Sequence, residues 1–209
     1  MSFTIENLKA FIKESSALME EHKQILIDLD SALGDGDLGL TMTAGFSECV
    51  SFLDSSSETD MGKLTAQMGM AMAKKVPSTM GTLVASGFMG SGKAVKGKTE
   101  LSDADVALFV TGFVEGVMKR GKANPGDRTI VDSLHPAAVA FKAAIDNGES
   151  LKDASAKALD KAKEGLDATA NMPPKFGRAV YYGDKVLGKI DQGALVGKLI
   201  FEGLNKSLN

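Results

Sequence analysis

The stretch DSALGDGDLGLTMT, residues 30–43, holds the side chains with the clearest potential for chemistry. Asp30, Asp35 and Asp37 fall within eight positions, and the glycines between them allow the backbone to turn so that the carboxylates face one point. Ionised carboxylates this close repel one another by several kcal/mol at the effective dielectric of a protein. A divalent cation would remove this repulsion, and oxygen ligands favour Mg²⁺, Ca²⁺ or Mn²⁺ over zinc.

Magnesium is the cation that this spacing favours. In an EF-hand counted from Asp35 the twelfth residue would be a bidentate glutamate, but here it is Phe46. Mg²⁺ takes one or two protein carboxylates per ion and leaves its other positions to water and phosphate oxygens, so three carboxylates suggest a phosphate ligand, with one ion or two. The alternative is a solvated acidic turn, because Asp-Gly pairs are ordinary turn chemistry.

Residues 76–83 and Arg178 carry groups that could bind an anion. Residues 87–94 resemble a phosphate-binding loop but lack one of its essential groups. VPSTMGTL, residues 76–83, can begin a helix whose free N–H groups and hydroxyls face an anion, although simple N-capping explains it equally well. Arg178 can answer phosphate charge or stack on a base; otherwise it is an ordinary surface arginine. GFMGSGKA, residues 87–94, nearly matches a phosphate-binding loop, but its last residue is Ala94, so the hydroxyl that contacts Mg²⁺ in such loops is missing.

The composition excludes several classes of function. The chain has 209 residues and a net charge of -3, and its lysines are scattered, so nucleic acid is a poor partner. A single cysteine, Cys49, excludes an intrachain disulfide and fits a reducing compartment. The N-terminal residues lack the apolar core of a signal peptide, and no later stretch reaches the length of a membrane span. We therefore expect a cytoplasmic protein that binds neither nucleic acid nor membrane.

Helical periodicity runs through most of the chain. Apolar residues recur at three- and four-residue intervals, and capping residues, glycines and prolines mark the ends of these runs. We expect helices at residues 5–19, 25–33, 41–53, 60–75, 78–95, 102–121, 131–147, 151–170 and 191–204. Because residues 78–95 are rich in small side chains, a strand followed by a loop also fits there; we prefer the helix since its neighbours are helical.

Short connections between these helices predict an all-α fold. Consecutive helices joined by short loops pack antiparallel, which gives an up-and-down bundle or barrel. No linker or repeat divides the chain, so we expect a single domain over residues 1–209. Residues 172–190 are the exception, because they contain glycines and β-formers but no helical period. A long ordered loop in a compact domain is usually functional.

Four motifs together resemble the nucleotide-binding L subunit of dihydroxyacetone kinases, in order and in spacing. They are LDSALGDGDLGLTM, KKVPSTMGTL, GKANPGDRTIVDSLHPA and FGRAVYYGDKVLGKIDQGA, and the likeness covers essentially the whole chain. The resemblance implies a barrel of eight antiparallel helices with the nucleotide, ADP or ATP, at one end. It also implies that this chain supplies the phosphoryl donor, while a separate K subunit holds a short ketose.

The resemblance further implies roles for individual residues. The residues that match the family's ligands for two Mg²⁺ ions, which bridge the nucleotide phosphates, are Asp30, Asp35 and Asp37. The residues that match its phosphate-binding stretches are Leu38, Gly39, Leu40, Thr41, Thr79 and Met80. The residues that match positions around the adenine and ribose are Gly121, Ile130, Arg178, Asp191, Gln192 and Gly193.

Three positions depart from the family pattern, and each change removes a polar contact to phosphate. Leu38 stands where histidine is usual, Thr41 where asparagine is usual and Met80 where a small hydroxyl residue is usual. The metal ligands are kept, so a shift in nucleotide affinity, donor or substrate is expected, and a tetrose-type kinase fits this divergence. The alternatives are a catalytically degenerate member that binds nucleotide and regulates a partner, and an inert bundle with a solvated acidic turn.

The resemblance leaves the donor open. Some relatives keep ADP bound and have it rephosphorylated by a phosphotransferase-system subunit, whereas others exchange ATP freely. The sequence decides neither between these donors nor between a triose and a tetrose ketose, and it leaves open whether the chain forms a homodimer.

Overall fold

The computed structural model describes residues 2–209, and this part of the chain is built from helices. Its α-helices are α1 (Ile5–Glu21), α2 (Lys23–Ser31), α3 (Leu38–Ser55), α4 (Met61–Lys75), α5 (Thr79–Ala94), α6 (Asp103–Gly121), α7 (Val131–Asp146), α8 (Leu151–Ala168) and α9 (Gln192–Ser207). Two 3-10 segments follow α8, at Thr169–Asn171 and Arg178–Val186. Phe3 and Leu101 form an isolated antiparallel β-bridge.

Side-chain caps explain where five of these helices begin, and at α4 the carboxylate of Asp60 accepts the backbone N–H of Lys63. The hydroxyls of Ser78, Ser102 and Ser150 accept backbone N–H groups at the starts of α5, α6 and α8. The carboxylate of Asp191 does the same for α9. Each cap is worth about 1 kcal/mol relative to alanine. The expected starts of these helices are therefore confirmed.

The start of α3 differs from the sequence-based expectation. The sequence predicts a helix from residue 41, but α3 begins at Leu38. The backbone N–H groups of Asp37 and Leu38 donate to Oδ2 of Asp30, at 3.0 and 3.3 Å. This side-chain acceptor satisfies N–H groups that have no partner inside the helix, so α3 extends back to the aspartate turn.

The long helices form a closed ring. Each helix from α3 to α9 packs against the next along the chain, α9 packs against α1, and α1 packs against α3. The short helix α2 follows α1 after a break at His22 and lies on α3. One continuous cluster of buried side chains, from Phe3 to Leu204, fills the ring. The predicted all-α up-and-down barrel is confirmed. Within residues 2–209, no helix is both long and apolar enough to cross a membrane.

Glycines allow α5 to approach both of its neighbours at backbone distance. A Cβ atom on Gly90 would meet the carbonyl oxygen of Gly112 in α6, and one on Gly92 would meet that of Gly62 in α4. This packing explains why residues 78–95 lack the usual pattern of large apolar side chains. The preference for a helix there is confirmed, and GFMGSGKA forms the last turns of α5 rather than a loop after a strand.

The antiparallel order gathers helix ends at one end of the barrel. The N-termini of α3, α5, α7 and α9 lie there, where residues at or just before each helix start line a common cavity. The connection from α8 to α9 lies at the same end and contributes to the same cavity. Each helix N-terminus carries roughly half a positive charge, so this end of the barrel suits anions.

Candidate functional site

The three aspartates of the turn before α3 meet at this end of the barrel. One carboxylate oxygen from each of Asp30, Asp35 and Asp37 can be chosen so that all three lie within 4.8 Å of one another. Asp30 is buried, whereas Asp35 and Asp37 are exposed. The cluster is therefore accessible from solvent, and three carboxylates at this spacing can share one divalent cation or two.

Asp30 is fixed in this cluster from two directions. Besides the two backbone N–H groups that bind its Oδ2, its Oδ1 accepts a hydrogen bond from Nε2 of Gln192 at 3.3 Å. A Cβ atom on Gly34 would lie 2.6 Å from that same Oδ1, so a side chain at this position would displace the carboxylate. The chain thus orients the Asp30 carboxylate through its own hydrogen bonds.

Repulsion within the cluster is only partly offset by a cationic side chain. Burial raises the pKa of Asp37, and the charges of Asp35 and Asp30 raise it further, while Arg178 lowers it. Arg178 Nη2 lies 2.8 Å from Oδ2 of Asp35. A divalent cation would relieve this repulsion more completely than one exposed guanidinium can.

A cavity of about 550 Å³ opens in front of the carboxylates, which we call the charged cavity. The predicted site residues that line it are Asp30, Asp35, Asp37, Leu38, Thr79, Met80, Ile130, Arg178, Asp191, Gln192 and Gly193. They come from five separate parts of the chain. The tertiary structure therefore brings most of the predicted site residues to one place.

Three predicted phosphate-binding residues do not line this cavity. Gly39 is buried where α3 crosses α2, and a Cβ atom there would meet the carbonyl oxygen of Lys23. Leu40 is 54% exposed, and Thr41 is buried in the first turn of α3. Gly39 has no side chain, and the side chains of Leu40 and Thr41 do not line the charged cavity.

A second cavity, of about 470 Å³, adjoins the first, and we call it the apolar cavity. Gly121 and Ile130 line it, as do Leu83, Val117 and Phe176, and no acidic side chain does. Ile130 and Phe176 also line the charged cavity, so the two spaces share a wall. Together they form a site with a charged half and a largely apolar half.

This combination selects for a particular kind of ligand. The carboxylates attract cations, whereas the helix N-termini beside them attract anions. A ligand that satisfies both is a metal-bound polyphosphate. An apolar cavity alongside has room for a planar organic group attached to the phosphates.

Asp191 has a structural role in this wall. Its carboxylate is buried, and Oδ2 accepts the backbone N–H of Ala194 at 2.9 Å, which caps α9. Burial raises the pKa of Asp191 to about 6, although the Ala194 N–H and the charge of Arg128 act in the opposite direction. The side chain therefore holds the N-terminus of α9 in position, and Gln192 and Gly193 follow it into the charged cavity.

Two residues that belong to the site are not among those predicted from the sequence. Phe176 is 38% exposed and lines both cavities, and Arg128 is 2% exposed and lines the charged one. An aromatic residue next to Gly177 in a long loop was a usable signal for Phe176. The motif GKANPGDRTIVDSLHPA contains Arg128, but nothing in the sequence shows that this arginine is buried, because arginines are mostly exposed.

The sequence and the fold both have known relatives. Residues 32–206 match the family model described as DAK2 domain. The chain is 32% identical to the "PEP-dependent dihydroxyacetone kinase 1, ADP-binding subunit DhaL" of Listeria innocua over 89% of this chain and 88% of that protein. It is 31% identical to the "L-erythrulose kinase" of Pectobacterium atrosepticum, over 87% of this chain but 31% of that protein.

A solved structure shares the fold. The dihydroxyacetone kinase from C. freundii, crystallised in complex with AMP-PNP and Mg²⁺, matches 95% of this chain with a TM-score of 0.74 and 25% sequence identity. The present chain spans 33% of that longer chain. The barrel therefore corresponds to about one third of that protein.

Proposed function

We propose a function for this chain on the premise that it belongs to the DAK2 domain family. Residues 1–209 act as one nucleotide-binding domain that holds ADP or ATP with Mg²⁺. The domain supplies the phosphoryl donor of a kinase whose short ketose substrate is held by a separate K subunit. The reaction is phosphoryl transfer, to which this chain contributes positioning and electrostatic stabilisation without a covalent intermediate.

One observation carries this proposal. Three carboxylates lie within 4.8 Å of one another in the same cavity that four helix N-termini enter. Neither feature alone requires a ligand, because acidic turns and helix starts are common at protein surfaces. Their combination favours a metal and a polyphosphate together, since each neutralises what the other feature attracts.

The residue roles follow from this geometry. Asp30, Asp35 and Asp37 hold Mg²⁺, and the set is large enough for two ions. Mg²⁺ supplies charge neutralisation of the phosphates when bound. The starts of α5, at Thr79 and Met80, and of α9, at Gln192 and Gly193, present backbone N–H groups to the phosphates. The first turn of α3, residues 38–41, contributes its N-terminal dipole rather than its side chains.

Arg178 changes partner in this proposal. In the structure its guanidinium binds Asp35, and both side chains are more than half exposed. With Asp35 engaged as a metal ligand, the Arg178 guanidinium would be free to donate to phosphate oxygens, whose geometry suits the arginine fork well. The adenine and ribose then lie in the apolar cavity beside Gly121 and Ile130.

Two relatives bear on the donor and the ketose. The Listeria innocua protein is named as the ADP-binding subunit of a PEP-dependent kinase, which supports a phosphotransferase-system donor for this chain as well. The Pectobacterium atrosepticum protein is named as an L-erythrulose kinase, which supports a four-carbon ketose. We propose a triose or tetrose substrate, and a tetrose-type kinase fits the divergence from the family pattern at Leu38 and Met80.

Magnesium-dependent nucleotide binding is the first prediction of this function. With Mg²⁺ and ADP at a hundred times the dissociation constant, the free energy of unfolding should rise by about 2.7 kcal/mol. Chemical denaturation with Mg²⁺ alone, ADP alone and both together measures this. Reconstitution with a K subunit and a PEP-dependent donor should then phosphorylate dihydroxyacetone or erythrulose. An unchanged unfolding curve would rule out the nucleotide site.

A degenerate family member that regulates a partner is the competing candidate. Leu38 and Met80 favour it, because apolar side chains stand in the cavity wall where polar ones are usual, and Leu38 is 5% exposed. Both candidates bind Mg-ADP, so binding does not separate them. Turnover by the reconstituted pair does, since only a kinase component transfers phosphate to the ketose.

Phe176 should distinguish the two halves of the site. Because it lines the wall between them, Phe176→Ala removes a large contact surface for the base while leaving the carboxylates intact. We expect a loss of Mg-ADP affinity of about tenfold, in the range for base stacking on an aromatic ring, and little change for Mg-pyrophosphate. Calorimetry with both ligands tests this.

A tryptophan at this position supplies a second measurement. The chain has no Trp, so Phe176→Trp creates a single tryptophan reporter. Its fluorescence should change when ADP binds and stay constant with pyrophosphate. Equal responses to the two ligands would show that the base lies elsewhere.

A further inference from the structure

Residues 172–190, which we call the crossing segment, have few contacts with the barrel. Only Ala179 and Val186 of the segment are buried, and they pack in a small cluster with Leu33, apart from the main core. The side chain of Tyr181 is 90% exposed. A segment with so little buried surface depends on its polar attachments for a defined position.

Two consecutive residues of the loop before α7 supply polar attachments at both ends of this segment. Asp127 Oδ1 pairs with Nζ of Lys175 at 2.6 Å, and its carbonyl oxygen accepts the Lys175 N–H at 3.3 Å. Arg128 donates from Nη1 to the carbonyl oxygen of Val186 at 3.3 Å and from Nη2 to that of Lys189 at 2.9 Å. The α7 loop therefore holds the crossing segment near its start and near its end.

Arg128 has a strained and costly conformation for an arginine. It has a left-handed backbone, with φ at +59°, which disfavours any residue with a Cβ atom. Its guanidinium is desolvated, and its two hydrogen bonds go to carbonyl oxygens rather than to a carboxylate. Within residues 2–209, Nε of Arg128 is a buried nitrogen without a hydrogen-bond partner. Such outliers persist where the surrounding structure enforces them, and they concentrate at functional sites.

Hydrogen bonds in the loop around Arg128 enforce its left-handed backbone conformation. Asp127 Oδ2 accepts the backbone N–H of Asn124 at 2.7 Å, and Asp132 Oδ2 accepts that of Thr129 at 2.7 Å. These bonds fix the backbone on both sides of Arg128. The guanidinium is therefore presented from a rigid base to a segment that is otherwise weakly attached.

We propose that Arg128 is a positioning residue for the proposed nucleotide site: it fixes the crossing segment so that Arg178 stays over the carboxylate cluster. The inference rests on the proposed function for its nucleotide readout only. Arg178 lies in the crossing segment between the attachments at Lys175 and Val186, and the segment brings its guanidinium to 2.8 Å from Asp35. Loss of the attachment at Val186 and Lys189 loosens the segment after Arg178, so that the α7 loop holds Arg178 from one side only, through Lys175.

A double-mutant cycle tests this coupling. Arg128→Met removes the donors and keeps an unbranched side chain, and Arg178→Gln removes the group that it positions. Each single variant should weaken Mg-ADP binding by about tenfold, within the range of coupling between residues of one network. The double variant should bind Mg-ADP no more weakly than the single variant with the lower affinity. Effects that multiply would show that Arg128 acts on the nucleotide independently of Arg178, which overturns the proposal.

Amide hydrogen exchange without nucleotide tests the attachment itself. The N–H of Gly188 donates to the carbonyl oxygen of Ala170 at 2.8 Å. The exchange rate of this amide reports whether the end of the crossing segment stays attached to the barrel. In Arg128→Met its exchange should accelerate at least about tenfold, while amides inside α5 and α6 stay unchanged. Acceleration throughout the barrel, or none at Gly188, would overturn the proposal.

Two further variants sharpen the result. Arg128→Lys keeps the charge but cannot bridge two carbonyl oxygens with a planar fork, so it should behave like Arg128→Met in both measurements. Wild-type behaviour of this variant would show that charge alone matters and would reject positioning. Lys185→Gln is the matched control, because it removes an exposed cation from the same segment and should leave exchange at Gly188 unchanged.

The experiment separates this inference from the proposed function. If the wild-type chain does not bind Mg-ADP, the nucleotide proposal fails, whereas exchange at Gly188 still reports on the attachment. If the wild-type chain binds Mg-ADP and Arg128→Met binds it equally well, the positioning role fails and the nucleotide site stands.

Discussion

Asp37→Asn is expected to lower the affinity for Mg-ADP at least about 100-fold, because even the outer-shell partners of metal ligands contribute 10- to 100-fold. The substitution keeps the shape of the side chain and removes one of three negative charges that lie within 4.8 Å of one another. It also leaves α3 intact, since Asp37 makes no side-chain capping hydrogen bond there. Titration calorimetry with Mg-ADP measures the loss, and the reconstituted kinase should lose turnover in parallel.

The metal-free Asp37→Asn protein should be at least as stable as the wild type. Burial and two neighbouring carboxylates raise the pKa of Asp37, so its ionised form is unfavourable in the folded protein. A raised carboxyl pKa means that ionisation near neutral pH costs folding stability, and this cost is absent below the unfolded pKa. Replacing the carboxylic acid by an amide removes this cost of ionisation in the folded protein. Urea unfolding without Mg²⁺ near pH 7 therefore separates loss of binding from loss of fold.

Asp28→Asn provides the matched control for charge. Asp28 lies two residues before Asp30 in α2, so its side chain points to another side of the helix, and it is exposed and accepts a hydrogen bond from Gln24. The Asp28→Asn substitution removes one negative charge near the site and leaves the three carboxylates of the cluster unchanged. The affinity for Mg-ADP should therefore change less than about twofold in buffered salt, where exposed charges are screened. Equal losses from Asp28→Asn and Asp37→Asn would contradict a specific metal site.

Gly90→Ala is expected to destabilise the barrel by about 3 kcal/mol, at the upper end for overpacking. In an open helix the same change would stabilise by up to about 1 kcal/mol through helix propensity. Here the new Cβ atom meets the carbonyl oxygen of Gly112, a backbone atom that cannot turn away. The helices α5 and α6 must separate to accept it, which lowers the melting temperature by about 6–12 °C for a chain of this size.

Gly148→Ala is the control for glycine strain without a collision. Gly148 has φ at +79°, and a Cβ atom there meets nothing within 4 Å. Alanine at this position should cost about 1 kcal/mol, from the left-handed backbone alone. Urea unfolding of both variants compares the two effects. A similar small loss for Gly90→Ala would show that close approach of α5 to α6 contributes little.

The helical elements were predictable because their signals are local. Apolar spacing, caps such as Ser102 and Asp191, and terminating glycines located α6 and α9 well. Local signals were weakest at residues 78–95, where small residues suit a close-packed helix and a loop alike. The contact between Gly90 and Gly112 resolves that ambiguity, and it joins residues that are far apart in sequence.

The carboxylate cluster could be predicted as a group for a similar reason. Asp30, Asp35 and Asp37 lie so close in sequence that almost any turn brings them together. Their partner Gln192 is 162 positions away from Asp30, and only the closed ring places α9 beside that turn. The first turn of α3 shows the limit of motif matching, because Leu40 and Thr41 fit the motif in sequence but do not line the cavity.

By itself, the sequence determined the helices, the acidic turn and the likeness to a kinase subunit, since each depends on residues close together along the chain. The tertiary structure alone decided what surrounds that turn. Ring closure set four helix N-termini beside the carboxylates, joined a charged cavity to an apolar one, and buried Arg128 beneath the crossing segment. The charge of the ligand that a site favours and the burial of a residue both depend on neighbours from distant parts of the chain. Only tertiary packing determines which residues become those neighbours.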